Sequence, residues 1–313
     1  MEALILTPDS SPLSRNIEDY PEGIIIPIDK PYRWTSADVI RKVKYAAIRH
    51  FGKKNLKVGH AGTLDPLATG VLLVCIGKAT KLAETLQSHD KEYVAGVTFG
   101  ATTPSYDLEK EIDRFFPHEH ITAESIEAAL PAFIGEQDQI APLFSAKSVD
   151  GVRAYELARK LHSEGKTLDE AAQELIRVAR INISELELIS VGGGRFQNNP
   201  SQASLGPSPC GQGGSTVLEP TTCNTSQNSS DMSNASSRIN VTDNSALGLP
   251  RAEIRMACSK GTYVRAFARD LGERLGSGAH LDSLQRSRSG QFRVENALTV
   301  EQTMSIFAPK SEA

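Results

Sequence analysis

Short apolar runs and alternating segments predict that strands and helices are mixed along this chain. Continuous apolar stretches at residues 23–28 and 71–76 are typical of buried strands. Three further segments alternate apolar and polar residues, as half-buried strands do: 92–99, 180–190 and 253–259. Apolar positions at helical spacing predict four helices, at residues 36–51, 122–133, 152–162 and 263–275. Because these elements do not follow a strict βαβ order, we expect an α+β fold with a mixed, largely antiparallel central sheet flanked by helices.

Residues 197–249 interrupt this pattern with a long polar tract. Serine, asparagine, glycine, glutamine, threonine and proline dominate it, and it contains no aromatic residue. Such a composition buries too little apolar surface to offset the entropy lost on ordering, so we expect a disordered surface insertion. The alternating segments on either side are then two strands of a hairpin whose turn carries the insertion. We therefore expect a flexible N-terminal tail at 1–22 and one domain at 23–306, interrupted at 197–249.

Composition adds little about function but excludes some classes of protein. The chain has 313 residues, 39% of them hydrophobic and 23% charged, which is ordinary for a globular protein. Its four cysteines lack the C-x-x-C spacing of a zinc or redox site. No secretory signal and no run of about 18 apolar residues is present. These features predict a cytoplasmic protein without a membrane span.

The net charge of −4 alone gives no reason to expect nucleic-acid binding, but the charges are unevenly distributed along the chain. Between Lys30 and Lys57, nine lysines and arginines stand against one acid, Asp38. A basic segment of this kind neutralises nucleic-acid phosphates whatever the total charge is. The alternative interpretation is a solvated helix face.

The segment 58–77, VGHAGTLDPLATGVLLVCIG, holds the densest set of candidate functional residues. Small residues surround Asp65, and Pro66 fixes the direction of the chain after it. This pattern is typical of a loop that approaches a ligand. The alternative is a tight turn in which Asp65 only caps a backbone N–H. A phosphate-binding loop is excluded because Gly77-Lys78 lacks both the upstream glycine and the following Ser or Thr.

Several motifs in order along the chain resemble those of one enzyme family. They are GHAGTLDPLATGVLLVCIGKATKL from Gly59, DKP at 29–31, TS at 35–36, KEYVAGVTFG at 91–100, DGVRAYELAR at 150–159 and CSKGTYVR at 258–265. Together they resemble the TruB family of tRNA pseudouridine-55 synthases, from about residue 23 to about residue 297. The resemblance implies a pseudouridine-synthase-like fold for the sheet described above.

The resemblance also implies a reaction and a catalytic set. Enzymes of this family cleave the C1′–N1 bond of a uridine in RNA, turn the uracil and rejoin it through C5, without metal or cofactor. Asp65 corresponds to the catalytic carboxylate, and attack on the ribose and attack on the base both stay open. Arg265 is the expected ion-pair partner of Asp65, and Tyr93 is expected against the target base. These three are the implied catalytic residues.

Four further residues are implied to bind the substrate. His60 corresponds to a residue that helps to hold the T loop open, and Lys30 is expected to contact RNA phosphates. Tyr263 and Leu284 are expected to line the pocket. The implied partner is tRNA, bound through its T arm by a monomer that needs no protein partner. Few residues follow the last expected strand, so we expect no C-terminal RNA-binding domain.

Two other functions are compatible with the same residues. One is a tRNA-binding folding helper that acts on the T arm without catalysis, although such a protein has no need of an ion-paired carboxylate in a loop. The other is a relative that depends on a guide RNA, which the short C-terminal region disfavours.

Overall fold

The structure is a computed structural model that describes residues 2–142, 148–149, 152–153, 178–192 and 239–308. Its centre is a ten-stranded mixed sheet. The strands in chain order, including two short two-stranded ladders beside the main sheet, are β1 (Leu4–Ile5), β2 (Ile24–Lys30), β3 (Val58–Ala61), β4 (Ala68–Ile76), β5 (Lys91–Phe99), β6 (Ala101–Thr102), β7 (Arg114–Phe115), β8 (Gly135–Gln139), β9 (Ser148–Val149), β10 (Val152–Arg153), β11 (Ala179–Gly192), β12 (Arg251–Cys258), β13 (Ala279–Ser289) and β14 (Phe292–Arg293).

The order across the main sheet is β1-β2-β4-β13-β5-β12-β11-β8, with β3 on β4 and β14 on β13. Only the pairs β1–β2 and β4–β13 are parallel within the described sheet. The α-helices are α1 (Ser36–Phe51), α2 (Ala83–Ser88), α3 (Ala123–Ala129), α4 (Val264–Arg274) and α5 (Val300–Phe307). The expected α+β class, with a largely antiparallel sheet flanked by helices, is confirmed. No helix within the described ranges is long and apolar enough to cross a membrane.

Helix α1 shows why the local sequence folds as it does. The Thr35 hydroxyl accepts a hydrogen bond from the Asp38 N–H at 3.0 Å, and the Asp38 carboxylate accepts one from the Thr35 N–H at 3.0 Å, which forms a capping box. Gly52 ends the helix in the left-handed conformation, with φ of 64°. Val39, Val43 and Ala47 are buried in the main core. The predicted bounds of this helix are confirmed.

The other predicted elements are confirmed with small shifts, apart from one. The segment 122–133 begins as α3 and ends as a 3₁₀ turn at Leu130–Phe133, and α4 begins one residue after Tyr263. The helix expected at 152–162 is wrong at its start, because Val152–Arg153 is a short strand paired with β9. The rest of that prediction lies outside the described residues.

The hairpin expected around the polar tract is confirmed, since β11 and β12 pair antiparallel along most of their length. Residues 197–238 of the expected disordered insertion lie outside the described residues. Residues 239–249 correct that prediction because they pack on the domain. Arg33 Nη2 donates to the Ile239 carbonyl at 2.6 Å, the Thr242 N–H donates to the Leu108 carbonyl at 2.8 Å, and Leu249 is buried. These contacts compensate for the conformational entropy that is lost when the segment becomes ordered. The polar composition of the tract did not reveal them.

The N-terminal segment, which we expected to be a flexible tail, is instead part of the sheet. Strand β1 pairs with Ile24 and Ile25 of β2, and the Leu6 N–H donates to the Ile25 carbonyl at 2.9 Å. Leu6 is 1% exposed and belongs to the main core. The acidic composition of the first residues concealed this short apolar run, which adds a strand to the edge of the sheet.

A close approach of two backbones joins β4 to β13 at the middle of the sheet. Gly70 has φ of 97°, and a Cβ built on it would lie 2.3 Å from the Arg286 carbonyl oxygen. Only glycine adopts this conformation without strain and leaves room for the neighbouring strand. The contact places residues 284–286 of β13 beside the start of β4.

Replacement of Leu6 tests whether the N-terminal segment is part of the core. We expect Leu6→Ala to lower the free energy of unfolding by about 2–4 kcal/mol, because it leaves a cavity in a packed core. Leu4→Ala is the matched control, since Leu4 is 39% exposed and should change stability by less than about 1 kcal/mol. Urea unfolding measures both, and equal effects of the two variants would contradict a packed N-terminal segment.

Candidate active site

Asp65 lies in the loop between β3 and β4, which the first turn of α1 holds in place. The Ser36 hydroxyl accepts from the Leu64 N–H at 3.0 Å and donates to the Leu64 carbonyl at 3.1 Å. The Ala68 N–H closes the turn on the Asp65 carbonyl at 3.1 Å. The Asp65 side chain is 37% exposed, so its carboxylate reaches solvent although its backbone is fixed.

Arg265, in the first turn of α4, forms an ion pair with this carboxylate. Its Nε lies 2.9 Å from Asp65 Oδ2, and its Nη1 donates to the Ser105 carbonyl at 3.2 Å. Arg265 is 4% exposed. Burial by itself lowers the pKa of this guanidinium, but the Asp65 and Asp107 carboxylates outweigh it and raise the pKa. Arg265 is therefore a permanent cation against one face of Asp65.

A second carboxylate, Asp107, lies 3.7 Å from the same Nε of Arg265. Asp107 is buried, and it accepts hydrogen bonds from the Ser105 hydroxyl at 2.6 Å and the Glu109 N–H at 3.0 Å. Burial raises the pKa of Asp107, and the charge of Arg265 opposes that rise. Sequence reasoning missed this residue because a single Asp in a polar loop carries no distinguishing signal.

Tyr93 lies on β5 directly opposite Arg286 of β13. Its side chain is almost fully buried, and this burial raises the pKa of the phenol, so the hydroxyl keeps its proton at neutral pH. Arg286 is itself 1% exposed, and it donates from Nε to the Val71 carbonyl at 2.7 Å and from Nη2 to the Gly62 carbonyl at 3.1 Å. Arg286 is a second residue that sequence reasoning missed, and an arginine inside a strand next to buried positions was the available signal.

A cleft opens over the Asp65 carboxylate. Six of the residues that line it are Asp65, Leu67, Arg265, Leu281, Asp282 and Leu284. Leu284 and Asp65 thus line the same cleft. Tyr263 is half-buried and directly precedes α4; its N–H donates to Gln139 Oε1 at 2.8 Å, and its carbonyl accepts from Gln139 Nε2 at 3.2 Å. Tyr263 is not among the described residues that line the cleft.

Lys30 corrects one prediction. It is 0% exposed, and its ammonium donates to the carbonyls of Trp34 at 2.6 Å, Pro31 at 3.0 Å and Pro66 at 3.2 Å. Because the side chain is fully buried and already bonded to these carbonyls, it does not contact a phosphate in this conformation. Sequence charge does not reveal burial, and Lys30 instead ties the loop after Asp65 to the turn that follows β2.

His60 lies on β3 and is half-buried. It is close enough to Arg286 for the positive charge of that side chain to act on the ring. Burial, helped by the positive charge of Arg286, lowers the pKa of His60, so the ring is neutral at physiological pH. Its Nδ1 has no hydrogen-bond partner among the described residues. Within the same residues, no cluster of three or more His, Cys, Asp or Glu could hold a metal ion.

The burial of Lys30 predicts a dependence of stability on pH. Its pKa falls from 10.5 to about 7, chiefly by burial, although the charge of Asp65 opposes the fall. Between these values the unfolded chain holds a proton that the folded chain has lost, so stability attributable to Lys30 rises with pH. We expect the unfolding free energy of wild type relative to Lys30→Met to increase above pH 7, by at most about 1.4 kcal/mol per pH unit.

Urea titrations between pH 6 and pH 10 measure this difference. Lys78→Met is the matched control, because the Lys78 side chain is 61% exposed, and its difference from wild type should stay nearly constant. A constant or falling difference for Lys30→Met would show that the lysine is not buried as described.

Comparisons with known proteins agree with the motifs. The profile of the "TruB family pseudouridylate synthase (N terminal domain)" matches residues 49–197. The tRNA pseudouridine synthase B of Phocaeicola vulgatus is 44% identical over 283 residues, which cover 90% of this chain and 92% of that protein. The enzyme of the same name from Bacteroides fragilis is 42% identical over 280 residues, with 90% and 92% covered.

A chain in a solved Cbf5-Nop10-Gar1 complex has the same fold, with a TM-score of 0.52 at 22% identity; the match covers 95% of this chain and 56% of that chain. The expected pseudouridine-synthase-like fold is thereby confirmed. Identity above 40% along nine-tenths of the chain shows membership of the family and not only a shared fold. The matched length includes the loop of Asp65 and the helix of Arg265. The chain belongs to the TruB family of tRNA pseudouridine synthases.

Proposed function

We propose that this protein isomerises uridine 55 in the T loop of tRNA to pseudouridine, with Asp65 as the nucleophile. The observation that carries the proposal is the ion pair of Asp65 with the buried Arg265, at 2.9 Å, at the base of a cleft in a chain of the TruB family. A nucleophilic carboxylate must be ionised and accessible. The Arg265 guanidinium lies 2.9 Å from the Asp65 carboxylate, and the 37% exposure of Asp65 leaves it accessible.

The other predicted catalytic residue, Tyr93, suits contact with the target base. Its ring is flat and apolar, and its raised pKa keeps the phenol neutral beside the uracil. Leu284 supplies a second apolar contact from the strand next to Tyr93. In the reaction the C1′–N1 bond breaks, the uracil turns within the cleft, a C1′–C5 bond forms, and the proton on C5 is replaced by one on N1. The product is an isomer of the substrate, so the balance requires no oxidant or reductant.

Binding of the T arm is assigned to the basic face of α1 and to the loop after it. Arg41, Lys44, Arg49, Lys53 and Lys54 are exposed there, which suits contact with phosphates. Extraction of a stacked uridine costs a few kcal/mol, and His60, beside the Asp65 loop, is assigned to hold the opened loop. The monomeric state and the cytoplasmic location stay predictions.

Replacement of the nucleophile separates catalysis from binding. We expect Asp65→Asn to reduce pseudouridine formation in an unmodified tRNA transcript by at least about 10⁴-fold, because the amide keeps the shape but is not a nucleophile. The dissociation constant for the same tRNA should change less than about threefold. Mapping of pseudouridine in the T loop and a filter-binding assay measure the two quantities.

The two outcomes of this experiment also separate the enzyme from a folding helper. Substantial turnover by Asp65→Asn would contradict the role of Asp65. If wild type binds the transcript but forms no pseudouridine, the tRNA-folding function becomes the better description.

Replacement of the buried carboxylate tests whether Arg265 depends on both of its neighbours. We expect Asp107→Asn to lower kcat by roughly tenfold or more while KM changes little, because Arg265 loses an anchor and no longer holds Asp65 in one position. Asp138→Asn is the control, since it removes a carboxylate from an exposed pair with Arg180, at 3.2 Å. Unchanged kcat in Asp107→Asn would show that the Asp65–Arg265 pair is sufficient.

A further inference from the structure

The last part of the polar tract, residues 239–249, contacts two loops beside the candidate active site. The Arg33 guanidinium donates from Nη2 to the Ile239 carbonyl at 2.6 Å. The Thr242 N–H donates to the Leu108 carbonyl at 2.8 Å. We call residues 239–249 the bracing segment, because both contacts lie next to loops that carry a carboxylate of the site.

The first contact leads to Asp65 through the backbone of Arg33. The Arg33 N–H donates to the carbonyl of Pro66 at 3.0 Å, and Pro66 directly follows Asp65 in the chain. The Lys30 ammonium donates to the same carbonyl at 3.2 Å. The position of the Asp65 loop therefore depends on the backbone of Arg33, whose side chain is held by the bracing segment.

The second contact leads to Asp107, the buried carboxylate beside Arg265. Leu108 directly follows Asp107 and is 3% exposed. Leu249, near the end of the bracing segment, is 8% exposed and lines the same small cavity as Leu108. The bracing segment thus holds the backbone directly after the buried carboxylate.

The backbone is strained at both places. Within the described ranges, Arg33 and Tyr106 are the non-glycine residues with positive φ, at 64° and 56°. Side chains such as these rarely adopt the left-handed conformation, which persists only where neighbouring contacts hold it and is found mostly at functional sites. Tyr106 directly precedes Asp107, so each strained residue adjoins a loop contact of the bracing segment.

The two loops must be held because Arg265 depends on both carboxylates. Its Nε lies 2.9 Å from Asp65 Oδ2 and 3.7 Å from Asp107 Oδ2. A displacement of about 1 Å at a reacting group costs up to about 100-fold in rate. Contacts that fix these loops therefore affect the rate of the reaction more than the binding of the substrate.

We propose that the bracing segment positions both carboxylates around Arg265, and that Arg33 is the residue through which it fixes Asp65. Arg33 is a positioning residue: its guanidinium holds a strained backbone, and the N–H of that backbone holds the loop. The effect on catalysis rests on the proposed function, whereas the mechanical coupling of the segment to the loops does not.

Two replacements of Arg33 separate its donor from its backbone strain. Arg33→Met keeps the strain but removes the donor, so kcat for pseudouridine formation should fall about tenfold while KM changes less than about twofold. Arg33→Gly also removes the donor, but glycine adopts this conformation without strain and should recover kcat to within about threefold of wild type. Release of tritium from a tRNA transcript labelled at C5 of uridine measures both constants.

A direct contact of Arg33 with RNA would give a different pattern. If the guanidinium bound a phosphate, Arg33→Met and Arg33→Gly would both raise KM and leave kcat nearly unchanged. That result would overturn the role of Arg33. Equal losses of kcat in the two variants, or no loss in Arg33→Met, would overturn it as well.

Replacement of Leu249 tests the bracing segment at its other contact. We expect Leu249→Ala to lower kcat roughly fivefold, because the segment loosens beside Leu108. Leu247→Ala is the matched control, since Leu247 is 48% exposed in the same segment. Leu249→Val takes the place of Leu249→Ala if that variant is unfolded at the assay temperature. Equal kcat values for the Leu249 variant and the control would overturn this part.

Hydrogen exchange without RNA tests the coupling apart from catalysis. The Ala68 N–H closes the turn on the Asp65 carbonyl, so its exchange reports the order of that loop. We expect NMR spectroscopy to show exchange at Ala68 at least about fivefold faster in Arg33→Met and close to wild type in Arg33→Gly.

The Glu109 N–H, which donates to Asp107 Oδ1, reports the other loop. Its exchange should be faster in Leu249→Ala and unchanged in Leu247→Ala. Unchanged exchange at both amides would overturn the proposal. If wild type forms no pseudouridine but exchange responds as expected, the proposed function fails and the coupling stands.

Discussion

A guanidinium withdrawn from water constrains the whole site. Arg265 is 4% exposed, and a buried charge without counter-charge costs several kcal/mol, so the fold must keep carboxylates beside it. Asp107 satisfies this requirement as a buried carboxylate, and Asp65 satisfies it as a partly exposed one. The position of the Asp65 carboxylate is therefore set by the solvation of Arg265, and the loop that carries Asp65, the proposed nucleophile, contributes to the stability of the chain.

Two further buried basic side chains, Lys30 and Arg286, bind backbone carbonyls instead of carboxylates. Lys30 donates to the carbonyl of Pro66, and Arg286 donates to those of Gly62 and Val71. Like Arg265, which donates to the Ser105 carbonyl, these side chains bind backbone acceptors that lie within three residues of positions lining the cleft. Backbone carbonyls are numerous and fixed, whereas surface contacts exchange with water. Three buried basic side chains thus hold the backbone around the site, in a chain whose net charge is negative.

The sequence predicted the helices and strands more accurately than it predicted the contacts inside the candidate site. Local signals were sufficient for α1, because its cap and its terminating glycine lie within the helix region itself. The pairing of Asp65 with Arg265 joins residues 200 positions apart, and only the resemblance to a family brought them together. The prediction for Lys30 was wrong because the sequence of a basic run does not show which of its lysines are buried. Asp107 was missed because its role depends on burial, which a lone polar residue does not indicate.

The close approach at Gly70 affects how the effects of substitutions in this protein are interpreted. The carbonyl of Arg286 occupies the space that any side chain would need, so each replacement separates β4 from β13 and moves Leu284 and Arg286 together. Substitution of Gly70 therefore disturbs the cleft without removing any group that is proposed to react. Intolerance to substitution reports the architecture of the cleft as strongly as its chemistry, and only measurements that separate folding from turnover distinguish the two.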